Sequence, residues 1–196
     1  MQNKPRVAAA TGVVIGFILG FFAARIQQEA TVSEPAPQAQ ENSSALPSDH
    51  PPPEVLEQLA RLQEHARDHP EDTEVRIRLG NSYYDMKRWD AAAAWYTEAL
   101  ELDPGNVSVR TDLGTAQLYQ GQVESAIESY RKSLSLEPNH PQTLQNLGIA
   151  HYFTGDLETA IRIWQRLLAA HPAHADKEKI EEFINNARKR LNQEQS

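Results

Sequence analysis

Four prolines, Pro70, Pro104, Pro138 and Pro172, stand 34 residues apart in this 196-residue chain. With the chain set in register on them, other columns fall into step. Leu79-Gly80, Leu113-Gly114 and Leu147-Gly148 recur at one phase. Ala92, Ala126 and Ala160 follow thirteen residues after each leucine, and Tyr96, Tyr130 and Trp164 four residues after each alanine. A repeat of this length is one supersecondary unit that cannot bury its apolar face alone, so it must stack on its neighbours.

Each column has a physical reading. Leu and the adjacent Gly belong mid-way along a first helix, the leucine filling the core and the glycine letting a neighbouring helix approach. Glycine costs about 1 kcal/mol in a helix interior, so three at one phase imply a packing reason. The alanines serve a second helix as small contact points, and the Tyr/Trp column is expected to plug the gap between repeats. Proline at the end stops the second helix or opens the next. First helices are therefore predicted at about 73–86, 107–120 and 141–154, and second helices at about 90–102, 123–136 and 156–170. Gly121 and Gly155 supply the turns in two units and Lys87-Arg88 in the other, with Asp90 and Asp156 as N-caps.

Leu79, Gly80, Tyr83, Ala92, Tyr96, Ala99 and Pro104 resemble the pattern of the tetratricopeptide repeat, a 34-residue helical hairpin. The second unit departs at Gln117 and Ser133, and the third at His151 and Leu167. The resemblance implies an all-α fold, a right-handed superhelix of three hairpins (73–106, 107–140 and 141–174) within a domain spanning 54–196. Amphipathic capping helices are expected at 54–69, with Val55, Leu56, Leu59, Ala60 and Leu62 apolar, and at 175–192. In the latter Ile180, Phe183, Ile184, Ala187 and Leu191 face inward. Arg188, Lys189 and Arg190 suit the C-terminal end of that helix.

By the same resemblance, the first helices line a concave face that binds a peptide or helix of a partner protein. The implied groove comprises Ile77, Asn81, Tyr84 and Asp85; Thr111, Thr115, Leu118 and Tyr119; and Gln145, Ile149, Tyr152 and Phe153. Glu74, Ser108 and Gln142 flank it. Tyr84, Tyr119, Tyr152 and Phe153 read as an aromatic row among amides and hydroxyls, suited to apolar anchors plus a few hydrogen bonds. Some family members clamp a peptide carboxylate with lysines and asparagines. Only Asn81 matches such a clamp, since Ile77, Thr111 and Gln145 stand at other clamp phases.

No catalytic centre, cofactor site or metal site is expected. The chain has no cysteine, which removes thiol chemistry and cysteine-ligated metals. His65 and His69 lie i,i+4 without the glutamate that a zincin motif requires, and His171 and His174 sit beyond the third unit. Residues 54–196 carry 16 Lys+Arg against 23 Asp+Glu, a net −7, which argues against binding nucleic acid by phosphate neutralisation.

The N-terminal part has a different character. Residues 7–24 form an uncharged apolar run of eighteen between Arg6 and Arg25. As a helix it would measure about 27 Å, close to the ~30 Å hydrocarbon core of a bilayer. This predicts one transmembrane helix preceding the repeats, in an anchor spanning 1–26; the competing reading is a cleaved secretory signal. Lys4 and Arg6 against Arg25 would leave the N-terminus in the cytoplasm and the repeats in the periplasm or outside. Gly12, Gly16 and Gly20 share one face that could let two such helices pack as a homodimer. Residues 27–53, rich in proline and poor in core formers, read as a flexible linker.

These features predict a membrane-anchored protein-interaction scaffold. An alternative comes from residues 141–164, PQTLQNLGIAHYFTGDLETAIRIW, which resemble bacterial assembly factors for c-type cytochromes. That resemblance implies chaperoning of apocytochrome c in the periplasm.

Overall fold

The computed structural model describes residues 51–194, which form eight α-helices and no strand. In chain order these are α1 (Pro53–Asp68), α2 (Thr73–Asp85), α3 (Trp89–Leu102), α4 (Val107–Tyr119), α5 (Val123–Leu136), α6 (Pro141–Phe153), α7 (Leu157–Ala170) and α8 (Lys177–Glu194). The most extensive packing is inside the hairpins α2/α3, α4/α5 and α6/α7, and each hairpin then packs on the next. α1 packs on α2 and α8 on α7, closing the two ends.

The hairpins close on an aromatic ring seated over a glycine. A Cβ added to Gly80 would come within 2.5 Å of the Tyr96 ring, and one added to Gly114 within 2.6 Å of Tyr130. At Gly148 it would overlap the indole of Trp164. The aromatic column therefore fills space inside its own repeat, against the first helix, rather than the gap between repeats. Tyr96, Tyr130 and Trp164 are almost fully buried there, as are Ala92, Ala126 and Ala160. Burying a large apolar side chain contributes roughly 1.5–3 kcal/mol, more than the ~1 kcal/mol a helical glycine costs.

Helix ends follow the 34-residue period too. Asp72, Asn106 and His140, one period apart, are the N-caps of α2, α4 and α6, accepting from the backbone N–H of Val75, Val109 and Thr143. Asp156 caps α7 as expected, accepting from Thr159 N at 3.2 Å. Asp90 does not cap α3: that helix begins at Trp89, and its N-cap Arg88 makes no side-chain cap bond. Lys87, Gly121 and Gly155 adopt φ of 58°, 80° and 83°, the left-handed geometry that ends a helix sharply. Around Lys87, Arg88 N donates to Tyr83 O and Lys87 N to Tyr84 O, both at 2.9 Å, the paired closure of a Schellman turn.

Of the departures from the repeat pattern, Leu167 is buried in the apolar core and the other three find polar partners. Gln117 accepts a hydrogen bond from Ser129 Oγ at 2.8 Å. His151 Nδ1 lies 3.1 Å from Asp156 Oδ2. Buried Ser133 donates to Val107 O at 3.4 Å. On α1, Leu59, Leu62 and Ala66 are buried, whereas Val55, Leu56 and Ala60 are exposed. Only the stripe facing α2 is covered. On α8, Ile180, Ile184 and Ala187 are buried, with Phe183 and Leu191 at the margin.

The expected transmembrane helix and the single-pass placement with the repeats in the periplasm find no support in the structure. Among the described residues, no helix is long and apolar enough to cross a membrane. The longest, α8, has 18 residues and is charged along its length, against the ~20 apolar residues a span requires. Residues 7–24, the glycines Gly12, Gly16 and Gly20 with their homodimer contact, and all but the end of the expected linker lie outside the described residues.

The seat at Gly148 and the left-handed turn at Lys87 predict opposite outcomes for substitution. Gly148→Ala drives a methyl into a buried indole whose N–H also donates to Gln145 O at 3.2 Å. It should lower unfolding stability by about 2 kcal/mol, the overpacking cost exceeding the gain in helix propensity. Lys87→Gly, which relieves a left-handed non-glycine residue, should raise it by about 1 kcal/mol. Urea midpoints of the full chain check both.

Candidate functional site

The first helices α2, α4 and α6 lie side by side as the inner layer of the stack, with α4 and α6 joined through polar side chains. Thr111 Oγ1 and Thr143 Oγ1 are 2.6 Å apart. Asn146 Nδ2 donates to Thr115 Oγ1 at 3.0 Å, which also accepts from the Tyr130 hydroxyl at 3.2 Å. Gln142 Nε2 donates to Asp112 Oδ1 at 3.3 Å. Residues expected to meet a ligand therefore meet each other.

Of the groove residues expected from sequence, Asn81 and Asp85 are exposed, and Ile77, Tyr84, Tyr152 and Phe153 are half-buried. Thr111, Thr115, Leu118, Tyr119, Gln145 and Ile149 are buried. The sealed six come from α4, which lies between two repeats, and α6, which lies between the second repeat and the C-terminal segment; the open side chains of α2 lie nearer the other end of the stack. Gln145 shows the consequence most clearly: its amide donates to Asp176 Oδ2 at 3.4 Å, and Oε1 is buried without a partner. Asn81, the sole clamp match, accepts from the Tyr96 hydroxyl at 2.8 Å.

The aromatic row resolves into two clusters. In the first, Trp89 stacks on Tyr119 with centroids 4.3 Å apart. Tyr84 stands edge-on to both, 4.9 Å from Trp89 and 6.0 Å from Tyr119. In the second, Tyr152 lies 5.9 Å from Phe153 and from Trp164. Phe183 of α8 stacks on Trp164 at 5.5 Å, and the Arg190 guanidinium sits 5.0 Å over the Tyr152 ring. Arg190 thus reaches into the inner layer, whereas the expected C-terminal capping by Arg188, Lys189 and Arg190 is not seen, because the helix continues to Glu194 and has no basic residue in its last turn.

Sequence reasoning missed Trp89 and Asp112. Trp89 begins a second helix and matches no repeat column. Asp112 lies immediately before the Leu113-Gly114 pair, a position that no column draws attention to. It is half-buried, and burial pushes its carboxyl up to about 7, against the lowering effect of the Gln142 amide. Burial holds the phenols of Tyr84, Tyr96 and Tyr130 above the ordinary tyrosine range, with Tyr119 the next contributor at Tyr84 and the Asp112 charge a smaller one at all three. Among the described residues no ion pair offsets it.

No metal site is assembled: among the described residues no group of three histidines or carboxylates could hold an ion. His65 bonds Asp72 Oδ2 at 3.0 Å, and His171 Nε2 bonds Asn139 O at 2.6 Å. A cleft of about 250 Å³ opens between α1 and α2, bordered by Arg61, His65, Glu74 and Arg78.

Residues 56–188 match the family model described as the Cilia and flagella-associated protein 70 middle TPR-like domain. No curated protein matches the chain in sequence. Among solved structures, the crystal structure of MamA is similar with a TM-score of 0.60 and 16% identity, over 71% of this chain and 80% of that one. The first TPR of Spaghetti (RPAP3), bound to an HSP90 peptide, has a TM-score of 0.57 and 20% identity, over 61% and 92%. The Arabidopsis OM64 TPR domain gives 0.55 and 21%, over 58% and 94%. At these identities the likeness shows the fold. The all-helical repeat architecture is the one typical of non-catalytic protein-interaction modules. The expected roles in cytochrome c maturation and membrane anchoring are corrected: the family and the structures that match point to TPR domains and lend neither role support. The residues that suggested the cytochrome factors, Leu147, Gly148 and Trp164 among them, are accounted for by hairpin packing.

The raised carboxyl of Asp112 makes stability depend on pH. Its folded value, about 7, lies above the ordinary aspartate value of 3.8. Between those pH values the folded state holds a proton that the unfolded state has lost. Stability therefore falls as pH rises from about 4 to 7, with a slope on the order of 1.4 kcal/mol per unit. Asp112→Asn should remove this slope and be the more stable protein at pH 7.5, as read by urea unfolding at pH 5 and 7.5.

Proposed function

Because the chain belongs to the family of the Cilia and flagella-associated protein 70 middle TPR-like domain, we propose that it is a protein-interaction scaffold that holds a peptide segment of a partner on its inner face. The observation that carries this reading is the open part of that face. Tyr84 remains half-exposed beside the Trp89–Tyr119 stack, with Ile77, Asn81 and Asp85 along the same helix. An aromatic anchor at the edge of a rigid, prepacked wall, with polar groups around it, suits recognition by a few concentrated contacts. The wall costs little to order on binding because its hydroxyl and amide bonds are already made.

The fold of the relatives supports the same reading, since one of them was solved with a peptide bound. The carboxylate-clamp mode is not part of the proposal. α2, α4 and α6 contain no lysine, and Asn81 is engaged by Tyr96.

A random-peptide library selected against the full chain should yield ligands whose affinity drops about tenfold or more on Tyr84→Ala, with helical circular dichroism unchanged. Selection that yields no ligand, or ligands indifferent to Tyr84→Ala and to Ile77→Asp, would refute it.

A further inference from the structure

We infer that copies of this chain stack head to tail, α8 of one copy packing antiparallel on α1 of the next to complete a hairpin. The contact lies at the ends of the array, so it leaves the inner face open and stands independently of the peptide-binding reading.

The repeat register identifies the two halves. Gln58, Leu62 and His65 stand 34 residues before Ala92, Tyr96 and Ala99, the buried face of α3 on which Tyr96 seats Gly80 of α2. α1 is therefore a second helix, and among the described residues it packs on α2, the first helix of the next hairpin. Its own first helix would lie over Gln58, Leu62 and His65. There, the same three residues border the cleft of about 250 Å³ between α1 and α2. At the other end α8 stands one period after α6 and packs on α7, so it is a first helix. Its outward face carries no second helix among the described residues. Each end presents the half that the other lacks.

Charge fits the same pairing. In the register of Gly80 on Tyr96, Glu182 of α8 stands at the glycine phase and falls opposite Leu62 of α1, at the ring phase. Leu62 is smaller than a ring, so the residue opposite need not be glycine. The ion pairs of α8 run from Lys177 to Glu181 and from Lys179 to Asp176, which leaves Glu178 and Glu182 exposed. Both then meet the cleft that Arg61 and Arg78 border. Of the acids there, Asp72 is engaged by His65 at 3.0 Å and by capping α2, so Glu74 remains. Because paired helices run antiparallel, Arg188 and Lys189 fall at the same time beside Glu57 and Glu54 at the start of α1. A parallel placement would set like charges together. The stems of Arg188 and Lys189 also cover Val55 and Leu56, which are 36% and 48% exposed. The surface pair of Arg61 with Glu57 is solvated and costs little to exchange.

The test is sedimentation velocity of the full chain across a wide range of concentration, with single charge reversals at the two ends. Wild type should form a growing series of oligomers and not a closed dimer, because a head-to-tail contact leaves a free end on every species. Arg61→Glu and Glu182→Arg should each weaken association about tenfold or more. An equimolar mixture of the two variants should restore it, since each altered end then meets its complement. Circular dichroism confirms that both variants fold. A chain that stays monomeric at every concentration overturns the inference. So does association that neither reversal weakens, or that the mixture fails to restore, since the contact then lies elsewhere or the ends take a different partner. Each of these results leaves the peptide-binding reading at Tyr84 standing.

Discussion

An aromatic ring lying on a glycine holds each hairpin closed, and the other contacts of the array depend on that seat. Tyr96, Tyr130 and Trp164 approach the first helix so closely that a methyl group would not fit beneath them. This closeness lets two helices share one narrow core with alanine opposite. The next hairpin can then stack at a constant offset, because each unit has the same thickness. Unit on unit, the first helices form one layer, and the terminal helices α1 and α8 cover its exposed ends.

The inner layer spends most of its polarity on itself. Thr111, Thr115, Thr143 and Asn146 bond across repeats, which fixes the relative position of α4 and α6 while removing those groups from a ligand. Such a layer is stiff, and it presents few unmet needs to solvent. Asp112 is the exception that gives the face a chemical character. A half-buried carboxyl whose polar contact is the neutral Gln142 amide is a costly arrangement for folding.

Much of the fold was legible in residue spacing. The 34-residue period placed all six repeat helices within a residue or so of their observed limits, and it identified the turn at Lys87 before its left-handed φ was known. It failed where a side chain had two possible neighbours. The aromatic column could fill the gap between units or the gap within one, and only the packed structure assigned it to the latter. Asp90 resembled a cap, yet the helix starts one residue earlier. The groove was the least legible part, since a residue at the inner phase can turn towards a ligand or towards the next repeat.

What the sequence determined by itself was the unit: its length, its two helices, its small residues and the large ring that each must seat. These follow from local periodicity, because a helix repeats its faces at a constant interval whatever lies around it. What only the tertiary structure decided was which inner side chains remain open. That depends on the offset between successive hairpins, a long-range quantity that sealed Thr115 and Gln145, left Tyr84 at an edge, and enclosed Asp112 without a counter-charge.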